Sequence, residues 1–244
     1  MGRHFEVRQA SMQKTAAAKS KIYSRYGKEL YLVAKAGIPD PEMNPALKRK
    51  IAEAKSNQVP AHVIDNAIKK AIGGTGEDYK EARYEGFGPA DSTLIIDCLT
   101  DNANRTIADI RAAFNKAHAK LASSGAVLFM YDQLGIFVFQ FDNGDILLEK
   151  MMEKDVDVID IEKDGEYIEL SVDPNHFHNA REVLDELLGE EIEYLMNEVR
   201  WVPQTESTLN EEDKATFEKL LSLLEEVDDV QQVYHNVLLE NDSY

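Results

Sequence analysis

The side chains with the clearest chemistry are cations near the N-terminus, in residues 14–37 (KTAAAKSKIYSRYGKELYLVAKAG). This stretch holds six Lys or Arg and three Tyr, and its one acid is Glu29. Lysine and arginine side chains bind phosphate oxygens, and tyrosine rings stack on unpaired bases. The stretch therefore predicts contact with a polyanion such as DNA or RNA.

The basic character continues through the next two expected helices. Residues 1–72 hold 14 Lys and Arg against 6 Asp and Glu, whereas residues 73–244 hold 13 against 39, so the net charge changes from +8 to −26. A basic module on an acidic body is typical of nucleic-acid binding, although a solvated face without a polyanion partner is an open alternative. The candidate nucleic-acid contacts are Lys14, Lys19, Lys21, Arg25, Lys28, Lys48, Arg49, Lys50, Lys55, Lys69 and Lys70.

A second candidate site lies where an expected strand meets an expected helix, within RYEGFGPADSTLIIDCLTDNANRTIADIRAAF (residues 83–114). Asn104 is the expected N-cap of this helix, with Arg105 just inside it. A helix N-terminus with Asn, Arg and Thr can hold a phosphate or carboxylate, but the same residues also fit a capped turn without a ligand. The candidate anion contacts are Asn102, Asn104, Arg105 and Thr106.

Patterns typical of catalysis or metal binding are weak. His176 and His178 are the one close histidine pair and lack companion ligands, so we expect structural or surface roles for them. Acidic doublets such as Asp228–Asp229 are expected on a solvated surface, and Cys98 is expected in the core. We therefore expect a non-enzymatic protein without a metal, a cofactor or a small-molecule substrate.

The sequence also predicts a cytoplasmic protein without a membrane partner. Its apolar runs fall short of the roughly 18–20 residues that cross a bilayer. The start MGRHFEVRQASMQK lacks the apolar segment of a secretory signal. The lone Cys98 cannot form an internal disulfide.

Three short helices are expected to position the cations. In the first, residues 19–36, an apolar stripe at helical spacing leaves Lys21, Arg25 and Lys28 toward solvent. The second begins after the expected N-cap Asn44, and the third begins near Pro60. Together they predict a helical bundle.

The remainder alternates strands and helices. Residues 136–202 follow the β-α-β-β-α-β order of a ferredoxin-like domain. Strands at 92–100 and 125–131, with a helix between them, are completed by a helix and a strand after residue 206. The predicted class is α+β: an N-terminal three-helix bundle followed by two α/β ferredoxin-like domains, the third inserted in the second. The predicted limits are 1–18 for a mobile basic tail, 19–76 for the bundle, 82–133 plus 206–244 for the second domain, and 134–205 for the inserted domain.

These blocks resemble the YebC/PmpR family over essentially the full length. The resemblance is carried by DPEMNPALKRKIAEAKSNQVPAHVIDNAIKKAIG, by the 83–114 block above and by SSGAVLFMY. The start MGRHFEV departs from the usual Gly-His-Ser-Lys-Trp type, with Phe5 near the Trp position, and is similar to the YeeN-type branch. The resemblance implies three domains and a non-enzymatic cytoplasmic protein. It also implies either a DNA-binding transcriptional regulator or a ribosome-associated factor that relieves stalling on proline-rich chains.

Three hypotheses follow for the basic stretch. A DNA-binding regulator fits Lys48, Arg49 and Lys50 as phosphate contacts, although no helix shows an obvious base-reading face. A ribosomal-RNA-binding translation factor fits the mixture of lysines with Tyr23 and Tyr31. The third is an acidic scaffold in which the bundle serves as an intramolecular counter-charge.

Overall fold

The computed structural model describes residues 16–73, 79–189 and 192–239. The expected basic tail, residues 1–18, lies outside the described residues as far as residue 15, and residues 16–18 belong to the first helix. The helices are α1 (Ala16–Ala36), α2 (Pro45–Ser56), α3 (Ala61–Ile72), α4 (Ala103–Lys116), α5 (Gly144–Glu153), α6 (Phe177–Leu188) and α7 (Glu211–Glu225). The strands are β1 (Lys80–Phe87), β2 (Thr93–Thr100), β3 (Lys120–Leu121), β4 (Tyr131–Gln140), β5 (Val158–Asp164), β6 (Tyr167–Val172), β7 (Tyr194–Pro203) and β8 (Val230–His235).

The first three helices form the expected bundle. Leu30 of α1 and Leu47 of α2 are fully buried at its centre, with Ile64 of α3 beside them. Asn44 caps α2 as expected, because its side-chain oxygen accepts the Leu47 amide at 3.1 Å. The same Asn44 side chain donates to two carbonyls of the preceding segment, which fixes the α1–α2 connection.

The second domain is a four-stranded antiparallel sheet with the order β3-β1-β2-β8. Helices α4 and α7 cover one face, where Leu94 and Ile96 of β2 pack with Phe114 and Phe217. A side chain at Gly86 of β1 would place its Cβ atom in collision with the Phe114 ring, so this strand position accommodates only glycine.

The third domain is a second four-stranded sheet, with the order β5-β6-β4-β7. Counted within the domain this is the order 2-3-1-4, which is the ferredoxin-like arrangement. Helices α5 and α6 cover one face through Phe137, Phe139, Leu147 and Leu184. Because α7 and β8 return to the first sheet after this domain, the third domain is inserted in the second. The predicted fold class is confirmed, while the exact domain limits stay predictions.

The two α/β domains share a small apolar cluster. Ile95 and Tyr234 on the open face of the first sheet pack with Val127, Tyr131 and Trp201. The Tyr131 hydroxyl donates to the Thr93 carbonyl at 2.9 Å. The insertion is therefore packed against the sheet that it interrupts.

The prediction of a strand at residues 125–131 is wrong. The backbone amides of Gly125, Val127 and Leu128 donate to the carboxylate of Glu85 at 2.6, 2.6 and 2.9 Å. Amides that converge on one carboxylate cannot alternate between neighbouring strands, so the segment forms a turn before β4. Strand β1 was not expected, because its charged residues weaken the strand signal.

Candidate nucleic-acid interface

Among the candidate contacts whose side chains the structure describes, the exposed ones lie on α2 and on the last turn of α3; Lys35, in the last turn of α1, is exposed as well. Lys48, Arg49 and Lys55 are exposed on α2, as are Lys69 and Lys70 on α3. The Lys48 side chain is 67% exposed, and its nearest acid is Glu42 at 4.0 Å. At that distance and exposure the pair is weak, so the Lys48 ammonium is accessible to a phosphate.

Lys50 differs from its two neighbours because it is part of an internal network. Its ammonium lies 3.2 Å from Glu29 and 2.8 Å from Glu53, and its side chain is only 26% exposed. Burial opposes its charge, but the two carboxylates more than offset this and raise the pKa of Lys50. The Tyr26 hydroxyl donates to Glu53 at 3.1 Å. Lys50 therefore connects α2 to α1 and faces solvent much less than expected.

The expectation that Arg25 and Lys28 face solvent is wrong. The Lys28 ammonium donates to the backbone carbonyls of Leu99 and Asp228 at 3.3 and 2.9 Å, and its side chain is 13% exposed. Arg25 donates to Glu29 at 3.0 Å and to Gln232 at 2.9 Å. The apolar stripe of α1 predicted only the contact with α2 and α3, whereas the second domain packs on a further side of the helix. Both cations dock the bundle onto this domain.

Asp229 is the centre of this junction. Its carboxylate accepts the Lys28 ammonium at 3.1 Å and the Arg105 guanidinium at 2.7 Å. The hydroxyls of Thr106 and Thr100 also donate to it, at 2.9 and 3.1 Å. Burial opposes the charge of this carboxylate, but the hydrogen bonds from Arg105, Thr106 and Lys28 hold the pKa of Asp229 below its ordinary value.

The second candidate site therefore already contains a carboxylate. Asn102, rather than Asn104, caps α4, because its side-chain oxygen accepts the Arg105 amide at 3.2 Å. The anion beside Arg105 and Thr106 is the protein's own Asp229, which is 3% exposed. The expectation that the Asp228–Asp229 doublet lies on a solvated surface is thus wrong for Asp229. The signal that sequence reasoning missed is an acid placed just before an expected strand.

Fewer tyrosines of residues 14–37 are available to stack on bases than expected. Tyr26 and Tyr31 are buried in the bundle core, at 4% and 2% exposure, and Tyr23 is half-buried. Rings in the core cannot stack on bases, so Tyr23 alone of the three is accessible. Lys14 lies outside the described residues, and Lys19 and Lys21 lie in α1 without described side chains.

The remaining candidates for chemistry have structural contacts. His176 accepts the Asp157 amide at 2.8 Å, and His178 lies 3.2 Å from Glu182. In the described part of the chain, no three His, Cys, Asp or Glu side chains group as metal ligands do. Of the helices that the structure describes, none has the length and apolar content to cross a membrane.

Known domain families match nearly the whole chain. Residues 3–74 match the TACO1/YebC protein N-terminal domain, and residues 79–237 match the TACO1/YebC second and third domain. The chain belongs to the TACO1/YebC family. The resemblance to YebC-type proteins is confirmed, and assignment of this TACO1/YebC chain to the YeeN-type branch stays a prediction.

Relatives of this TACO1/YebC protein have similar length. One from Vibrio campbellii is 50% identical over 236 residues, covering 97% of this chain and 99% of its own. One from Alteromonas mediterranea is 48% identical over 238 residues, covering 98% and 99%. Both are named probable transcriptional regulatory proteins. The crystal structure of a conserved hypothetical protein from Aquifex aeolicus matches with a TM-score of 0.74 at 31% identity, covering 92% of each chain.

Proposed function

We propose that this protein is a non-enzymatic, nucleic-acid-binding regulator of gene expression that acts in the cytoplasm. The observation that carries the proposal is a set of exposed cations on α2 and α3, including Lys48, Arg49 and Lys55, on a bundle whose buried cations have acid partners. The name of the Vibrio and Alteromonas relatives, probable transcriptional regulatory protein, supports it.

The binding mode that follows is contact with the phosphate backbone. Lysines and arginines on a helix surface neutralise phosphates and release counterions, which gives affinity without reading sequence. The net charge of −26 on residues 73–244 repels a polyanion from the rest of the molecule. Nucleic acid is therefore expected to contact the exposed cations of α2 and α3 rather than the acidic remainder of the molecule.

The second candidate function is a ribosome-associated, RNA-binding translation factor that relieves elongation stalling, for example at proline-rich stretches. The charge asymmetry favours it, because a long duplex extends beyond the small basic surface and runs beside the acidic body. A folded RNA surrounded by basic proteins repels the acidic residues 73–244 less than a long duplex does. This candidate shares the same α2–α3 surface, so the two differ in partner and not in site.

The experiment that separates them measures ribosome co-sedimentation at two salt concentrations beside a gel shift on duplex DNA. Salt-sensitive sedimentation with weak duplex binding supports the translation factor, whereas tight duplex binding without sedimentation supports the transcriptional regulator. The test variant is K48E/R49E, and the matched control is R111E/K219E, which makes the same charge change at exposed positions of α4 and α7. Failure of the unmodified protein to bind either partner at low salt contradicts the proposal.

A further inference from the structure

Helix α5 of the inserted domain presents an outward face that is both apolar and acidic. Leu148 and Met152 are 40% and 66% exposed, and they line a shallow groove together with Asp145, Glu149 and Glu153. At about 100° per residue, these five side chains share one side of the helix, opposite the buried Leu147 and Met151. The apolar pair is four residues apart, so the two side chains lie one above the other.

The acids on this face have spare capacity to bind a cation. Glu153 accepts the Lys150 ammonium at 2.7 Å. Asp145 and Glu149 make no hydrogen bond or ion pair with another residue in the described part of the chain. Exposed Leu and Met side chains favour contact with apolar groups of a partner. The carboxylates beside them favour contact with its cations. The combination therefore indicates a partner that is both apolar and basic.

Charge restricts the class of that partner. Carboxylates bordering the groove repel the phosphates of nucleic acids and of anionic lipid surfaces. A protein segment that carries lysines or arginines beside apolar side chains matches both parts of the face. Methionine adapts its shape to different apolar side chains, which suits a contact formed with a helix or an extended segment.

We propose that the outward face of α5 docks a basic amphipathic segment of a protein partner. Leu148 and Met152 receive the apolar side chains of that segment, and Asp145 and Glu149 pair with its cations. The site is separate from the α2–α3 surface, so it does not depend on nucleic-acid binding. Through this site the acidic part of the chain, residues 73–244, would bind a basic protein.

The test uses a fluorescein-labelled peptide of roughly 14 residues, built from Leu and Lys at helical spacing, with anisotropy as the readout. We expect saturable binding of the peptide to the unmodified protein. The affinity should fall at least about tenfold in L148Q/M152Q. It should fall by a similar factor in D145N/E149Q, and this second loss should be larger at low salt. Glutamine and asparagine keep the size of these side chains, and circular dichroism confirms that the variants are folded.

Two control variants make the result specific to this face. M43Q/I72Q removes two apolar side chains of the bundle that are at least as exposed as Leu148, and E218Q/E226Q removes two exposed acids in and directly after α7. Both are expected to bind the peptide as the unmodified protein does. Equal losses in the control and test variants show a general attraction to an acidic protein and overturn the proposal. Undiminished binding in L148Q/M152Q, or tight binding of an RNA or of anionic vesicles that L148Q/M152Q weakens, also overturns it.

Discussion

The ammonium of Lys28 lies 3.1 Å from the carboxylate of Asp229, across 201 positions of sequence. The other carboxylate oxygen accepts the guanidinium of Arg105 at 2.7 Å. One buried carboxylate is therefore shared by a cation of the helical bundle and a cation of the second domain. This shared contact, rather than an external anion, accounts for part of the basic character of α1.

Replacing Asp229 by Asn should destabilise the protein by about 3 kcal/mol, because Lys28 and Arg105 lose their shared counter-charge in a buried site. Urea unfolding measures this change. The control is Asp228→Asn, since Asp228 is exposed and contacts Lys28 only through its backbone carbonyl. Equal stability of the Asp229 and Asp228 variants contradicts the description of the junction.

The same junction gives a dependence on pH. The pKa of Asp229 is depressed in the folded protein, so its contribution to stability is fully present above its ordinary value of 3.8 and is lost as the pH falls toward the lower folded value. The stability difference between the unmodified protein and D229N should therefore be constant near neutral pH and shrink below pH 3.8. Urea unfolding from about pH 7 to about pH 3 measures the difference. A difference that grows in acid contradicts the depressed pKa.

Charge reversal should change stability by different amounts at two adjacent positions of α2. Lys50→Glu brings a third carboxylate beside Glu29 and Glu53 and should cost at least about 1 kcal/mol of stability. Arg49→Glu, at an exposed position, should change stability by less than about 0.5 kcal/mol. Thermal unfolding followed by circular dichroism compares the two. If Lys50→Glu proves as stable as Arg49→Glu, the internal network contributes nothing.

Glu85 should be the main determinant of the turn before β4. Its carboxylate accepts three backbone amides at 2% exposure. Glu85→Gln introduces a buried NH2 group against those donors and should cost about 2 kcal/mol. Hydrogen exchange of the Gly125–Leu128 amides should accelerate with it. Glu81→Gln, an exposed position on the same strand, should leave both quantities unchanged.

Apolar periodicity predicted much of the fold. The apolar stripe of α1, the Asn44 cap and the strand order of the inserted domain could all be predicted from the sequence, because each depends on local spacing or on a short run of residues. Strand β1 and the turn at 125–131 were not, since both depend on where the Glu85 carboxylate lies in three dimensions. The sequence within residues 125–131 is apolar enough for a strand, and only the distant acid decides otherwise.

The candidate site was predictable in composition but not in geometry. A count of basic residues predicts that all of them lie on one surface. In the structure, however, Lys28 contacts Asp229 and Lys50 contacts Glu29. Asp229 and Glu29 are distant in sequence from these lysines, so no spacing rule identifies them, although the i,i+3 spacing of Lys50 and Glu53 was readable. Lys48, Arg49, Lys55, Lys69 and Lys70 stay predictions as nucleic-acid contacts, and so do Lys14, Lys19 and Lys21, whose side chains lie outside the described part of the chain.

The most direct test of the central claim is the salt dependence of binding to labelled duplex DNA and to a labelled RNA hairpin of equal length. The unmodified protein should bind one of them with an affinity that falls steeply between about 50 and 200 mM salt. In K48E/R49E the slope of log affinity against log salt should be shallower by about two units, while R111E/K219E keeps the original slope. An unchanged slope in folded K48E/R49E, or an equal loss in the control, contradicts binding through the α2–α3 surface.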